Sequence, residues 1–360
     1  MASYYRPGCE NGIRPFFTFQ WHLTDLCDQR CRHCYIYAGD PGRTPVSASR
    51  ELMDQVLEKT VSFAEKLGCR PMYCLTGGDP LLHGDFFSLA EELHRRRIPF
   101  GVLGNPFHLT DRVCRKLKKL GCERYQMSLD GLEETHDFFR KPGSYRETLK
   151  KIPMINRSGM TSVIMTTVSG RNIRELPSLV DVCVSAGTGL YAFARYCPSP
   201  GEHVGITPEE YRDMLRLCGQ KFRALQQSGC KTAFAKKDHL WAIYDYERGA
   251  LSVPGDAGPD MIYAGCHCGQ NHLTILPDGQ VMACRRAAGS VVGRLPEDDL
   301  WQIWMERMEG YRDVRRFRKC ASCPLVSFCR GCPAVAMGET GDFFAPDPQC
   351  WFDPEKTSAK

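Results

Sequence analysis

Short apolar runs bounded by Gly, Pro or polar residues recur through residues 17–195. They predict strands over 17–23, 72–76, 100–103, 124–129, 162–168 and 190–195. Between them the apolar spacing turns helical, over 49–67, 85–97, 110–120, 145–157 and 172–186. In the first of these, Leu52, Val56, Val61, Phe63 and Leu67 keep roughly one face. Pro177 leaves the start of the last one open. Six βα units predict an α/β fold with a parallel sheet and helices on one side. An active site is then expected at the carboxyl ends of the strands.

Beyond residue 205 the pattern changes. Thr207-Pro208-Glu209-Glu210 predicts a helix start, with Thr207 as cap, Pro208 in the first turn and Glu210 closing a capping box. Residues 228–262 read as a mixed bridge ending in a Gly/Pro-rich stretch. From Cys266 onward cysteine is concentrated. The expected domains are a barrel over 1–205, a helical bridge over 206–262 and a cysteine-rich domain over 263–360, ending in a frayed tail. The 360 residues suffice for two domains.

Composition adds three exclusions. The chain is 42% hydrophobic and 25% charged, an ordinary balance. No apolar run of about 18 residues occurs, so no membrane span is expected. The N-terminal stretch lacks an apolar signal core, so a cytoplasmic protein is expected. In a reducing compartment, 20 cysteines suggest metal rather than disulfides.

The chemistry-bearing stretch follows the first predicted strand. Cys27, Cys31 and Cys34 stand in a C-x-x-x-C-x-x-C spacing, with Tyr35 next. So short a loop can fold three thiolates around one inorganic centre. Three are one too few for a cube of four irons, which leaves the fourth iron free to bind a small molecule. Structural zinc takes four ligands, and no common finger spacing fits. Three core cysteines that happen to be close are the blander alternative. Thr76-Gly77-Gly78-Asp79-Pro80 ends the second predicted strand. Glycines there let backbone approach closely, and Asp79 can accept hydrogen bonds from an ammonium group, although such a segment is usually a turn. Ser128-Leu129-Asp130-Gly131 ends the fourth and suits a ribose or a carboxylate. Near the C-terminus, Cys266, Cys268 and Cys284 precede Cys320-x2-Cys323-x5-Cys329-x2-Cys332 and Cys350. Two C-x-x-C pairs there also resemble a zinc ribbon.

In this order the segments resemble the radical S-adenosylmethionine (SAM) enzymes over nearly the whole chain. The resemblance implies a partial (β/α)6 barrel whose free iron is chelated by the amino and carboxylate groups of SAM. An electron then splits SAM, and a 5′-deoxyadenosyl radical takes hydrogen from the substrate. The Gly77-Gly78-Asp79-Pro80 segment is similar to the family's Gly-Gly-Glu-Pro motif for the SAM amino group, one methylene shorter at Asp79. Ser128, Asp130 and Arg140 carry over as SAM contacts, Arg140 pairing with the carboxylate. Asn105 resembles the middle of the family's Thr-Asn-Gly segment. The implied SAM contacts are thus Tyr35, Thr76, Gly77, Gly78, Asp79, Asn105, Ser128, Asp130 and Arg140.

The second cysteine field resembles the C-terminal SPASM domain, which carries two auxiliary iron–sulfur clusters in peptide-modifying radical SAM enzymes. By that resemblance Cys320, Cys323, Cys329 and Cys350 hold the distal cluster. Cys266, Cys268, Cys284 and Cys332 hold the proximal one, giving three [4Fe-4S] clusters in all. Two departures stand out. Two residues, not three, separate Cys329 from Cys332, and Cys266-His267-Cys268 is tight for two ligands of one cube. The latter leaves room for an open iron or a His267 ligand. Cys9, Cys69, Cys74, Cys114, Cys122, Cys183, Cys218 and Cys230 read as core. Cys197, just past the sixth predicted strand, belongs at the active-site end. His22, His136 and His239 read as structural.

The expected function is maturation of a ribosomally made precursor peptide, forming a thioether, a carbon–carbon link or a side-chain ring such as a cyclopropane. The auxiliary clusters would accept the electron left over, and a flavodoxin or ferredoxin-type protein would supply the first one. Formylglycine formation of the sulfatase type is an alternative, with Asp238 as candidate base. A non-catalytic iron–sulfur or zinc scaffold is another. The formal charge of +5 does not point to nucleic acid. Eleven thiolates and three cores at about +2 each would bring it near neutral.

Overall fold

The computed structural model describes residues 14–354 except 38, 39, 41, 200, 256, 259–261 and 288. Cys9 and the C-terminal tail lie outside the described residues. The six expected strands form as β1 (Phe16–Thr24), β2 (Arg70–Gly77), β3 (Phe100–Leu103), β4 (Cys122–Ser128), β5 (Thr161–Val168) and β6 (Leu190–Arg195). Each pairs in parallel with the next. The crossover helices are α1 (Arg50–Lys66), α2 (Phe86–Arg95), α3 (Asp111–Lys119), α4 (Glu133–Phe139), α5 (Ser144–Arg157) and α6 (Leu176–Ser185). Ser49 caps α1 by accepting from the Leu52 N–H, and Thr110 caps α3 through the Val113 N–H. Pro177 sits in the first turn of α6, where its missing N–H costs nothing. A single 3-10 turn, Ile173–Glu175, leads into it. Helix α4 was not predicted, because seven residues are too few to show a helical period.

The sheet runs beyond the six strands. β7 (Ala233–Ala235) pairs in parallel with β6, out of the segment read as a bridge. β8 (His272–Ile275) pairs in parallel with the other edge, β1. β9 (Gln280–Met282) and β10 (Val291–Arg294) continue it antiparallel. The order is β10-β9-β8-β1-β2-β3-β4-β5-β6-β7. The cysteine-rich segment therefore extends the barrel sheet itself. Its strands span only three or four residues, too short for an alternating pattern to be read.

Two features lock the segment down. Phe17, Phe19, Trp21 and Leu23 are fully buried on one face of β1. The Phe17 ring meets Phe63 of α1 at 5.0 Å and Trp304 of the C-terminal segment at 4.9 Å, both edge-on. At the end of β6 the wholly buried Arg195 guanidinium binds two carboxylates. Its Nε lies 3.0 Å from Asp238, and its Nη1 and Nη2 lie 2.5 and 2.7 Å from the two oxygens of Asp347. Gln349 takes a further bond from Nη1, at 3.0 Å. Barrel, bridge and C-terminal segment thus meet on one side chain. Helix α7 (Pro208–Gln227) carries the expected capping box at Thr207 and Glu210.

Candidate functional site

The loop that follows β1 is tied down on three sides. The Asp25 carboxylate accepts from Arg43 at 2.7 Å, and the Tyr37 hydroxyl donates to the Asp25 carbonyl at 2.6 Å. The Arg32 N–H donates to the Phe139 carbonyl at 2.8 Å, and Arg32 Nε to the Phe138 carbonyl at 2.9 Å. Gln29 donates to Ser144 Oγ at 2.8 Å. The third tie is the Gly77–Gly78 pair. The Gly78 N–H donates to Thr24 O and the Asp79 N–H to Leu26 O, each at 2.7 Å. A Cβ on Gly78 would sit 2.2 Å from Leu26 O, and one on Gly77 2.1 Å from Thr24 O. In this structure the glycines admit the cysteine loop to the end of β2.

Cys27, Cys31 and Cys34 are half-buried and free in this loop. Burial pushes the Cys27 thiol up to about 12 and raises Cys31, against the pull of the Arg140 guanidinium. Two donors face the sulfurs. Asn105 Nδ2 lies 3.8 Å from Cys27 Sγ, and Arg140 Nη1 lies 3.6 Å from Cys31 Sγ. Both suit thiolates that carry charge once metal-bound.

The implied SAM contacts divide by place. Asp79 is fully buried. Its Oδ1 accepts from the Leu81 N–H at 3.1 Å, while Oδ2 has no partner. Burial lifts its carboxyl to about 6. Asp28 and His108 point at the same spot, their ligand atoms and that of Asp79 within 4.8 Å of one another. Asn105 Nδ2 donates to Asp28 at 2.7 Å, and Lys141 Nζ to the other Asp28 oxygen at 3.0 Å. An unpaired buried carboxylate oxygen is costly, and an ammonium group such as that of SAM fits it.

Across the loop, Asp130 and Arg140 are bound to each other. Arg140 Nε donates to Asp130 Oδ2 at 2.7 Å, and His33 Nε2 lies 3.3 Å from the same oxygen. Asp130 is fully buried, and Arg140 and His33 hold its carboxyl well below the usual range despite that burial. Arg140 thus meets Asp130 and a cysteine sulfur first, and its remaining guanidinium edge is what a SAM carboxylate would take. Ser128 ends β4 half-buried, and Thr76 is buried opposite His22. His136 is structural. Burial holds it near 4, so it is neutral, with Nδ1 accepting from the Asp130 N–H and Nε2 donating to Ser144.

Beside this pair opens a cavity of about 500 Å³, lined among others by His33, Phe139, Arg171, Tyr196 and Glu202. The sequence reading missed these residues, and Asp28 and His108 as well. His33 and Asp28 stand within the cysteine loop, which was signal enough; the others come together only through the fold.

The second thiol field abuts the first site. Arg285 lies over the Tyr35 ring at 4.7 Å, with its Nε buried and unpaired. The thiols sort into two groups by mutual influence. Cys320, Cys323, Cys329 and Cys350 form one. Cys266, Cys268, Cys284 and Cys332 form the other, joined by Cys197. Among the described residues no three cysteine sulfurs lie within 4.8 Å of one another. A preformed zinc site would hold its thiolates roughly 4 Å apart. Cubes spread theirs over four irons, so the donor sets fit clusters better than single ions. Asp238, the candidate base, spends both carboxylate oxygens on Arg195 and the Leu240 N–H. Arg195 keeps it ionised and well paired, which removes it as a base.

Comparison with known proteins agrees with this layout. Residues 21–183 match the radical SAM superfamily, and residues 266–333 match the SPASM iron–sulfur cluster-binding domain. An AdoMet-dependent heme synthase of Methanosarcina barkeri is 26% identical over 347 residues, covering 93% of this chain and 96% of that one. A PqqA peptide cyclase of Ruegeria pomeroyi is 25% identical over 351 residues, covering 92% and 86%. Among solved structures, Streptococcus suis SuiB bound to precursor peptide SuiA superposes with a TM-score of 0.74. That match covers 94% of this chain and 76% of SuiB at 19% identity.

Proposed function

This chain belongs to the radical SAM enzymes that carry a SPASM domain, and on that premise we propose that it matures a ribosomally made peptide. The reaction removes a hydrogen atom from an unactivated carbon and closes a thioether, a carbon–carbon bond or a side-chain ring. SAM and iron–sulfur clusters are its cofactors; a count of three cubes belongs to the proposal. Bound at Cys27, Cys31 and Cys34, a cluster with SAM supplies the 5′-deoxyadenosyl radical. The protein's own residues position and shield. The free oxygen of Asp79 takes the SAM ammonium, and Arg140 takes a carboxylate while neutralising thiolate charge.

The observation that carries the reading is the second thiol field lying against the first site, through Arg285 on Tyr35. Closing a bond after hydrogen removal leaves one electron to dispose of, and an electron centre beside the first site suits such a step. The peptide part is supported by the shared fold with peptide-bound SuiB and by the similarity to a PqqA peptide cyclase. A flavodoxin or ferredoxin-type donor and a cytoplasmic setting complete the proposal. The described helices include none long and apolar enough to cross a membrane.

One finding favours a second reading. The relative covering 96% of its own length here is named a heme synthase, so a tetrapyrrole substrate is the competitor. The test is anaerobic incubation of the reconstituted enzyme with SAM, dithionite and either a candidate precursor peptide, sought among neighbouring short reading frames, or a haem-precursor tetrapyrrole. The expected result is a peptide lighter by two hydrogens, formed in step with 5′-deoxyadenosine. Tetrapyrrole turnover with an unchanged peptide overturns the proposal.

A further inference from the structure

We propose that Cys197, a residue of the barrel, is a ligand of the proximal auxiliary cluster, together with Cys284, Cys332 and one thiol of the Cys266–Cys268 pair. The inference rests on the reading that this field holds a cluster.

Cys197 stands two residues past Arg195, at the end of β6. Arg195 is bound to Asp347, and Asp347 Oδ2 also accepts from the Cys332 N–H at 2.7 Å. One carboxylate therefore fixes the backbone before Cys197 and the backbone at Cys332. A second contact fixes them on the far side. Pro198 lies on Gly338 of the helix Pro333–Thr340, which begins straight after Cys332; a Cβ on Gly338 would sit 2.1 Å from Pro198 O. Between these clamps the thiols of Cys197 and Cys332 are near enough to perturb each other's ionisation. From the third side, Arg286, two residues past Cys284, brings Nη1 to 4.0 Å from Cys197 Sγ.

The Cys266–Cys268 pair, with one residue between its thiols and each perturbing the other's ionisation, is tight for two corners of a cube. The Cys266 carbonyl is held by Arg330 Nη2 at 2.8 Å, and Cys268 is bridged to His272 beside the sheet. Neither backbone is free to swing away. His267 is exposed and spends Nδ1 on Asn271 at 3.0 Å. His239 Nδ1 is engaged by the Gly331 carbonyl at 2.6 Å, so each of these histidines has only Nε2 to offer. With the pair filling one corner a further ligand is needed, and Cys197 is the thiol at hand. Cys197 and Cys332 come from distant segments, so a change of χ1 at either one spreads them over two irons.

The test uses the full chain with Cys27, Cys31 and Cys34 replaced by Ala to silence the first cluster. Into it go Cys197→Ala, Cys197→Ser and, as a control away from the field, Cys230→Ala. All are reconstituted anaerobically with iron and sulfide. Cys197→Ala is expected to lose between one and about four irons per chain and the native proximal EPR signal, while keeping the distal cluster's EPR signal. Cys197→Ser, nearly isosteric, is expected to shift the g-values of the proximal signal, which a packing role would leave in place. Iron content and EPR equal to those of Cys230→Ala overturn the inference. If Cys197→Ala fails to fold, an unshifted proximal signal in Cys197→Ser overturns it alone. A parent protein that takes up no iron in this field sinks the cluster reading itself, a distinct outcome.

Discussion

Asp79 shows what a single residue contributes. It serves both as cap of a short turn and, among the described residues, as the one buried carboxylate oxygen without a partner at the site. Asn keeps the cap and removes the charge. Asp79→Asn is therefore expected to weaken SAM binding by about 10- to 100-fold, the worth of one charge-assisted hydrogen bond, with little change in melting temperature. Equilibrium binding of SAM checks it. The pH dependence follows from burial, which lifts this carboxyl to about 6. Below that value it holds a proton and cannot pair with an ammonium. SAM affinity should rise as pH passes upward through about 6, and stay flat in Asp79→Asn. Stability of the SAM-free protein runs the other way. A raised folded value favours the fold at low pH, and that contribution is lost as pH rises through about 6. Asp79 and the three loop cysteines were legible in the sequence because motif and strand end coincide. Asp28 stood in the cysteine loop and could have been read there; His108 could not, since only the loop after β3 brings it to Asp28.

At the scale of elements, the site depends on how closely β2 meets the loop after β1. A Cβ on Gly78 would fall 2.2 Å from a backbone oxygen, which no side-chain motion can relieve. Gly78→Ala should push the cysteine loop off the end of β2. The expected outcome is a drop of more than about tenfold in 5′-deoxyadenosine formation, with reduced iron in the first cluster and a retained fold by circular dichroism. Full activity in Gly78→Ala would show the contact to be dispensable. The sequence had suggested that these glycines admit a ligand; here they admit the protein's own backbone. The six long strands were readable from their apolar runs. β7 to β10 were not, because strands of three or four residues borrow their stability from an existing sheet edge and need little pattern of their own.

At the scale of the whole molecule, β8 on β1, Phe17 on Trp304 and the Arg195 network all hold the C-terminal segment to the barrel. Arg195 is buried with two carboxylates, and removing it strands both. Arg195→Met should cost about 3–5 kcal/mol of stability, read by chemical denaturation of the reconstituted protein. Loss of a distal ligand is milder. Cys320→Ala, Cys323→Ala or Cys329→Ala should lower iron and product formation while SAM cleavage persists, because the first site lies elsewhere in the sheet. A monodisperse variant that no longer cleaves SAM would contradict that separation. The most direct measurement is isotopic. The candidate precursor peptide, deuterated at its carbon-bound positions, is turned over anaerobically and the 5′-deoxyadenosine is weighed by mass spectrometry. Hydrogen removal from the peptide by the radical made at Cys27, Cys31 and Cys34 predicts deuterium in the 5′-deoxyadenosine, and none of that product when these three cysteines are alanine. Modified peptide accompanied by unlabelled 5′-deoxyadenosine would contradict it.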